Sequence, residues 1–403
     1  MESKKTYNIF RIIMLVLITA FVTFIITAIS VYNYANKGGI EKYVANAKNE
    51  DTSLAATLSN FKSVLEQKYV GEINENDLTE GAIKGYVAGL GDPYTEYLTK
   101  DEMTSLSEET QGEYMGVGIY IANNTITNEI VVLRTIGNSP AYRAGLLTGD
   151  IIKTVDNVEY TGEQLNEASN AMKGESGTTV KIKIIRNGEE KEFEIKREVI
   201  KLICVTSKKL ENEVGYVKIS SFDGGCAEEF KNNYEELKKQ GINSLVIDLR
   251  YNGGGLVDEA LNIAELMVDK DKTMLITKSK NAEEVITKSK SNKIIDMPIV
   301  VLVNEYSASA SEILTGILKE SVGATVVGKT TYGKGVIQTV YQLSDGSGLK
   351  ITTDEYYTPN HNVINKVGIK PDEEIELPKE WQNISEVPEE NDTQLKKAIE
   401  LIK

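Results

Sequence analysis

The sequence has one histidine, His361, in 403 residues, together with two cysteines, one tryptophan and seven prolines. So small a stock of histidine and cysteine closes off several kinds of chemistry. A zinc site draws on His and Cys ligands at set spacings, whereas His361 has no second histidine to join it, and Cys204 and Cys226 stand on elements of dissimilar pattern. No metal site and no cofactor is expected. Nothing in the cysteine spacing requires a disulfide, and buried free thiols account for the pair. A positive surplus is also lacking: 45 Lys and Arg against 60 Asp and Glu leave a net charge of −15. Phosphate backbones need concentrated positive charge, so nucleic acid is not an expected partner. Finally, a Ser-His-Asp triad would have to rest on His361 alone, in the polar segment Pro359-Asn360-His361-Asn362.

What is present is first a long apolar run. From Ile12 to Val31 only Thr19, Thr23, Thr27 and Ser30 interrupt it, and about twenty such residues match a hydrocarbon core of roughly 30 Å. The expectation is a transmembrane anchor at 12–31 behind a cytoplasmic tail at 1–11, Arg11 lying nearest the run. The remainder would then sit outside the cytoplasm at the cell membrane. Ala28-x-Ser30 leaves signal-peptide cleavage and secretion as the alternative.

Beyond it, three patterns follow one another. Residues 53–111 carry helical spacing (Leu58, Phe61, Leu65; Leu78, Ala82, Tyr86), interrupted by a turn at Gly91-Asp92-Pro93-Tyr94-Thr95-Glu96-Tyr97-Leu98. Residues 112–198 alternate strand-like runs with short helical patches, with a hairpin turn at Asn187-Gly188 and a helix start at Ser139-Pro140. Residues 201–380 alternate apolar strands such as Leu245-Val246-Ile247-Asp248-Leu249 with amphipathic helices, an α/β layered pattern. A further helix is expected at 388–403.

Two stretches of the last pattern bear on chemistry. The run Ile299-Val300-Val301-Leu302-Val303 breaks at Asn304-Glu305-Tyr306 into Ser307-Ala308-Ser309-Ala310-Ser311-Glu312 and then resumes with helical spacing. A serine at such a helix start lies beside free backbone N–H groups that stabilise developing negative charge. With no histidine at hand, lysine is the remaining base, and lowering its pKa from about 10.4 to about 7 costs roughly 4–5 kcal/mol. Thr331-Tyr332-Gly333-Lys334-Gly335 supplies one between glycines. Taken alone, the two stretches are equally well read as a helix cap and a turn lysine. Ser347-Gly348-Leu349-Lys350 also spells Ser-x-x-Lys, but its serine falls in a β turn rather than at a helix start.

Taken together, the two stretches resemble the signature of the C-terminal processing peptidases, Ser/Lys-dyad proteases that carry a PDZ domain. The resemblance implies that Ser309 is the nucleophile, Lys334 the general base and Gln338 its support. It makes Asp248-Leu249-Arg250-Tyr251-Asn252-Gly253-Gly254-Gly255 the oxyanion loop, with one donor from Gly254 or Gly255 and the other from Ala310, while Asp248 and Arg250 serve as structural partners. Tyr306 stands where the family more often has glycine, and Gly253 where it has proline. Residues 112–198 resemble the PDZ domain, in which the glycines of Met115-Gly116-Val117-Gly118-Ile119 turn amides toward a peptide carboxylate and the following strand offers an edge. The implied fold is an α/β, layered, crotonase/ClpP-like peptidase core (201–380) with an inserted PDZ domain, an N-terminal helical region that helps some members dimerise, and an N-terminal transmembrane helix. The implied activity is endopeptidase cleavage of extracytoplasmic proteins with free C-termini, without metal or cofactor. The alternative is a catalytically silent PDZ scaffold with Lys334 left charged and apart from Ser309.

Overall fold

The computed structural model describes residues 53–125, 127–381 and 387–402. Backbone contacts divide the chain into two units, at Ile83/Lys84. In the first, α1 (Leu54–Lys68) starts at Ser53, whose hydroxyl accepts from the Ala56 amide at 3.3 Å, and α2 (Glu75–Ala88) begins beside it, Glu75 meeting Lys62 at 2.6 Å. The predicted apolar spacing is real, yet none of α1 is buried: Leu58, Phe61, Leu65 and Leu78 line an open groove.

The second unit opens with β1 (Glu96–Leu98), α3 (Lys100–Gln111) and β2 (Glu113–Gly116). A six-stranded sheet follows, built from β3 (Ile119–Asn124), β4 (Glu129–Thr135), β5 (Ile151–Val155), β6 (Val158–Glu159), β7 (Thr179–Arg186) and β8 (Glu189–Lys196), in the order β3-β4-β5-β7-β8 with β6 on β5. Two helices pack on it. α4 (Pro140–Ala144) is capped by the Ser139 hydroxyl and closed by Gly145 at φ 90°, and α5 (Leu165–Met172) buries Ala168 and Met172. The expected hairpin joins β7 to β8, with Asn187 and Gly188 both at positive φ (53° and 82°) as its turn demands. β9 (Glu198–Lys201) returns antiparallel to β2, so the chain enters and leaves this domain as one two-stranded ribbon.

The remainder is the core. β10 (Val205–Lys209), β11 (Val214–Ile219), α6 (Cys226–Lys239), β12 (Ser244–Asp248) and α7 (Val257–Glu265) lead to β13 (Thr273–Ser279), β14 (Val285–Lys288) and β15 (Ile299–Val303). α8 (Ala310–Ile317), β16 (Thr325–Gly328), β17 (Val336–Gln342), β18 (Gly348–Tyr357), β19 (Glu373–Glu374) and α9 (Thr393–Leu401) complete it. One sheet runs β10-β11-β12-β15-β16-β19, parallel except at β10. Its central strands β12 and β15 are buried along their whole length because both faces are covered. Alternate side chains go to opposite layers: Ile247 and Val301 join Phe230, Tyr234 and Ile313, while Val246 and Val300 join Leu395 and Ala398 of α9. The other sheet is antiparallel, β1-β18-β13-β14 with β17 beside β18. Cys204 and Cys226 are buried and free.

Two expectations need correcting. The crotonase/ClpP-like label does not carry over to this core, whose second sheet recruits β1 from ahead of the inserted domain to pair with β18; a pairing across some 250 residues leaves no trace in local periodicity. The transmembrane helix, and with it the membrane as partner and the cell-membrane location, is also not carried forward. Residues 1–11 and 12–31 lie outside the described residues, and among the described residues no helix is long and apolar enough to cross a membrane. α1, with fifteen residues and Lys62, Glu66 and Lys68 along it, reaches only about 22 Å against the roughly 30 Å required.

Asp248 and Arg250, at the end of β12, form a buried network. The Arg250 guanidinium meets Asp248 at 2.6 Å and Asp392, the N-cap of α9, at 2.7 Å, and a third donor reaches Gln394 at 2.9 Å. Burial opposes ionisation of Asp248, but Arg250 and the Tyr216 hydroxyl outweigh it and hold the carboxyl below its ordinary range. Its contribution to stability is therefore complete above about pH 4 and is lost as the pH falls through that lowered value. Arg250→Ala strands two buried carboxylates and is expected to lower unfolding stability by about 3–5 kcal/mol, read as an earlier urea midpoint.

Candidate active site

The C-terminal ends of β12 and β15 converge, as ligand-bearing strand ends do in open parallel sheets. After β15 the chain is pinned by Asn304, whose side-chain oxygen accepts from the amides of Tyr251 (3.0 Å) and Tyr306 (3.2 Å). Of the three serines that follow, two are committed. Ser307, wholly buried, donates to the carbonyl of Leu249 at 2.8 Å, and Ser311, equally buried, to that of Asn252 at 2.9 Å. Both stitch the turn to the glycine loop after β12. Ser309 lies between them, partly exposed, and among the described residues its hydroxyl is donated to no acceptor.

Ser309 has φ 56° and ψ −117°, a conformation that costs a non-glycine residue about 1–3 kcal/mol and recurs where a side chain must be aimed. It stands at the N-terminus of α8, and Ala310 opens the helix. Gly254 packs directly on it: a Cβ at Gly254 would lie 2.8 Å from that of Ser309 and 3.1 Å from the Ala310 nitrogen. The Gly254 amide is already given to the Asn252 side chain at 2.8 Å. Among the described residues the amides of Gly255 and Ala310 have no acceptor, which distinguishes the two glycines the sequence left equivalent.

Glu312 is a residue the sequence reading passed over. Its carboxylate is fully buried and accepts from the Ser309 amide (2.9 Å), the Thr331 hydroxyl (2.6 Å), the Gly333 amide (2.7 Å) and the Lys334 amide (2.9 Å). Burial pushes its carboxyl above the ordinary range, against the pull of those donors. The backbones of Ser309 and Lys334 are thus held on one side chain, and the Tyr356 hydroxyl bridges their two carbonyls from the other side. The legible signal was position: a glutamate three residues after a helix N-cap is a capping residue.

Lys334 is half-buried. Desolvation and the charge of Lys350 lower its pKa, opposed by Asp92 and Glu312. Its amine makes no hydrogen bond to Ser309 here and instead lies 4.6 Å from the centre of the Tyr94 ring. Gln338, expected to support the lysine, donates to the Thr352 hydroxyl at 3.4 Å. His361 is exposed, paired with Glu284 at 3.0 Å and stacked on Tyr357. Ser347 donates to Asp345, and Lys350 pairs with Glu96. Tyr306 stacks on Tyr251 with ring centres 5.4 Å apart, so it widens the rim where a glycine would leave it bare.

In the inserted domain Gly116, Val117, Gly118 and Ile119 line one groove of about 340 Å³, to which Met172 of α5 also contributes. β3 is an edge strand of its sheet, open to the addition of another. Gly118 sits at φ 80°, where a Cβ would fall 2.4 Å from that of Ser139. The Tyr114 hydroxyl faces the amides of Gly118 and Ile119, and burial drives its pKa up to about 12.

The sequence matches three family models. Residues 213–375 match peptidase family S41, residues 113–196 the PDZ domain, and residues 16–102 the N-terminal domain of the activating protease CtpB. A CtpA-like serine protease of Staphylococcus haemolyticus is 36% identical over 352 residues, which is 87% of this chain and 70% of that protein. One of Staphylococcus aureus is 36% identical over 372 residues, 92% of this chain and 73% of the other. The chain belongs to the S41 family of C-terminal processing peptidases. A solved S41 protease of Bacteroides fragilis shares the fold at 16% identity and a TM-score of 0.50, covering 84% of this chain and 95% of that one. The S41 peptidase fold with a PDZ insert thus replaces the crotonase/ClpP-like label, and the N-terminal match reaches back to residue 16, inside the stretch first read as an anchor. As a member of this family the chain is a serine endopeptidase of the Ser/Lys-dyad class, and it takes its substrates by their C-terminal tails through the PDZ domain.

Glu312→Gln replaces one acceptor oxygen by a donor that faces other donors. The expected outcome is a fall in kcat on the order of 100-fold, as for a small displacement of reacting groups, with KM little changed, measured on a tailed peptide.

Proposed function

We propose that Ser309 is the nucleophile and Lys334 the general base of this endopeptidase. The observation that carries the reading is the unspent hydroxyl of Ser309, aimed by a positive φ at the head of a helix and fastened through Glu312 to the loop that bears Lys334. A substrate tail enters the groove of the inserted domain, its carboxylate taken by amides of the segment Gly116, Val117, Gly118 and Ile119 once Tyr114 gives way, and its strand added to β3. The scissile carbonyl then comes to Ser309.

Neutral Lys334 takes the Ser309 proton as the serine oxygen attacks the carbonyl carbon. The amides of Gly255 and Ala310 receive the oxyanion, and Gly254 supports by letting the loop approach the nucleophile. Lys334 passes its proton to the leaving amine, and water, deprotonated by the same lysine, releases the acyl group. Gln338, on β17, is assigned support of the base by family resemblance alone, its side chain meeting Thr352 in this structure. The amine must leave the Tyr94 ring before the first step.

Ser309→Ala is expected to leave no cleavage of casein, and Lys334→Ala to lower turnover by about 10²–10⁴-fold or more. Full turnover by the Ser309→Ala protein would refute the assignment. Because the base acts unprotonated, kcat/KM should rise with pH along a limb whose midpoint lies below the ordinary lysine value of 10.5, the direction set by burial and by Lys350. A pH profile from 6 to 10 checks it.

A further inference from the structure

The turn Gly91-Asp92-Pro93-Tyr94, a mere interruption between helices in the sequence, delivers an aromatic ring to the base. The turn is rigid. Asp92 accepts from the Tyr94 amide (3.2 Å) and the Thr95 hydroxyl (2.6 Å), the Thr95 hydroxyl accepts from the Thr352 amide (3.0 Å), and Glu96–Leu98 continues as a strand on β18. The Tyr94 phenol lies beside that of Tyr332, two residues before Lys334. Held in this way, the ring face lies 4.6 Å from the Lys334 amine, which makes no ion pair or hydrogen bond of its own among the described residues.

An aromatic face attracts an ammonium group and offers nothing comparable to a neutral amine. Every other group around Lys334 can be placed on one side or the other. Burial and Lys350 on β18 favour the neutral form, while Asp92 on the turn and Glu312 on α8 favour the charged one. Tyr356 is a buried phenol that stays protonated over the working range. Against so few opposing charges, the ring is a substantial weight on the charged side.

We propose that Tyr94 is a positioning residue for the base: its ring holds the Lys334 amine charged and away from the Ser309 hydroxyl until bound substrate draws it across. The proposal rests on the reading of Lys334 as general base. It makes the resting enzyme a protease whose base is parked on an aromatic surface rather than in an ion pair, so that release requires no carboxylate to be stranded.

The test is kcat/KM against pH for the full chain on a fluorogenic tailed peptide, in wild type, Tyr94→Leu and Tyr94→Phe. Removing the ring should move the acid limb to lower pH by about 0.4–1.5 units, the span of one such contact. Tyr94→Phe keeps the ring and should keep the wild-type limb. A Leu limb that coincides with wild type or moves upward overturns the proposal, as does a Phe variant that behaves like Leu, which would assign the effect to the phenol hydroxyl rather than to the ring. Should Tyr94→Leu turn over too slowly to profile, the Lys334 ε-carbon is titrated by NMR in a Ser309→Ala background. The same downward shift supports the proposal, and an unshifted titration overturns it. Turnover retained by Lys334→Ala would instead remove the base assignment itself, and with it this role for Tyr94.

Discussion

One buried carboxylate, that of Glu312, accepts four hydrogen bonds from groups that belong to two loops, and two of those donors are the amides of Ser309 and Lys334. Hydrogen bonds to a charged group contribute about 1.5–3 kcal/mol each, and the penalty for leaving such a carboxylate unpaired is larger still. Neither loop can drift without exposing the other to that penalty. The contorted backbone of Ser309 survives because this anchor on one side and the committed hydroxyls of Ser307 and Ser311 on the other leave it no alternative.

Around that anchor the site divides its labour. Asn252 and Asn304 use their side chains to shape the two turns, Gly254 yields the space in which the turns touch, and the amides left over are those of Gly255 and Ala310. The lysine experiences contrary influences: a dry setting and a like charge press it toward neutrality, and two carboxylates and an aromatic face press it back. An amine poised in this way answers to small changes in what lies beside it.

The sequence disclosed these features unevenly. β15 and the helix after it were readable because five consecutive apolar residues ended in small ones, a local pattern, and the Gly-x-Gly of the inserted domain was readable for the same reason. Ser309 could be separated from Ser307 and Ser311 only by resemblance, since what singles it out physically is the engagement of the other two with carbonyls about 58 residues away in sequence. Glu312 and Tyr94 act across gaps that no periodicity spans, so the first looked like part of a cap and the second like part of a turn. Gln338, matched by spacing to Lys334, is found on Thr352 because a bulge in β17 falls between Ile337 and Gln338. The membrane-helix reading relied on an apolar run outside the described residues, and the core label on an alternation of strands and helices that many layered folds share.

Arg250 is synthesised 142 residues before Asp392. A ribosome adds residues at about 5–20 per second, so for many seconds the strand that leads to the glycine loop carries a guanidinium whose second carboxylate does not yet exist. That guanidinium reaches its full set of partners only once α9 has emerged and docked. A helix remote in sequence thus completes the charge balance at the strand that carries the glycine loop.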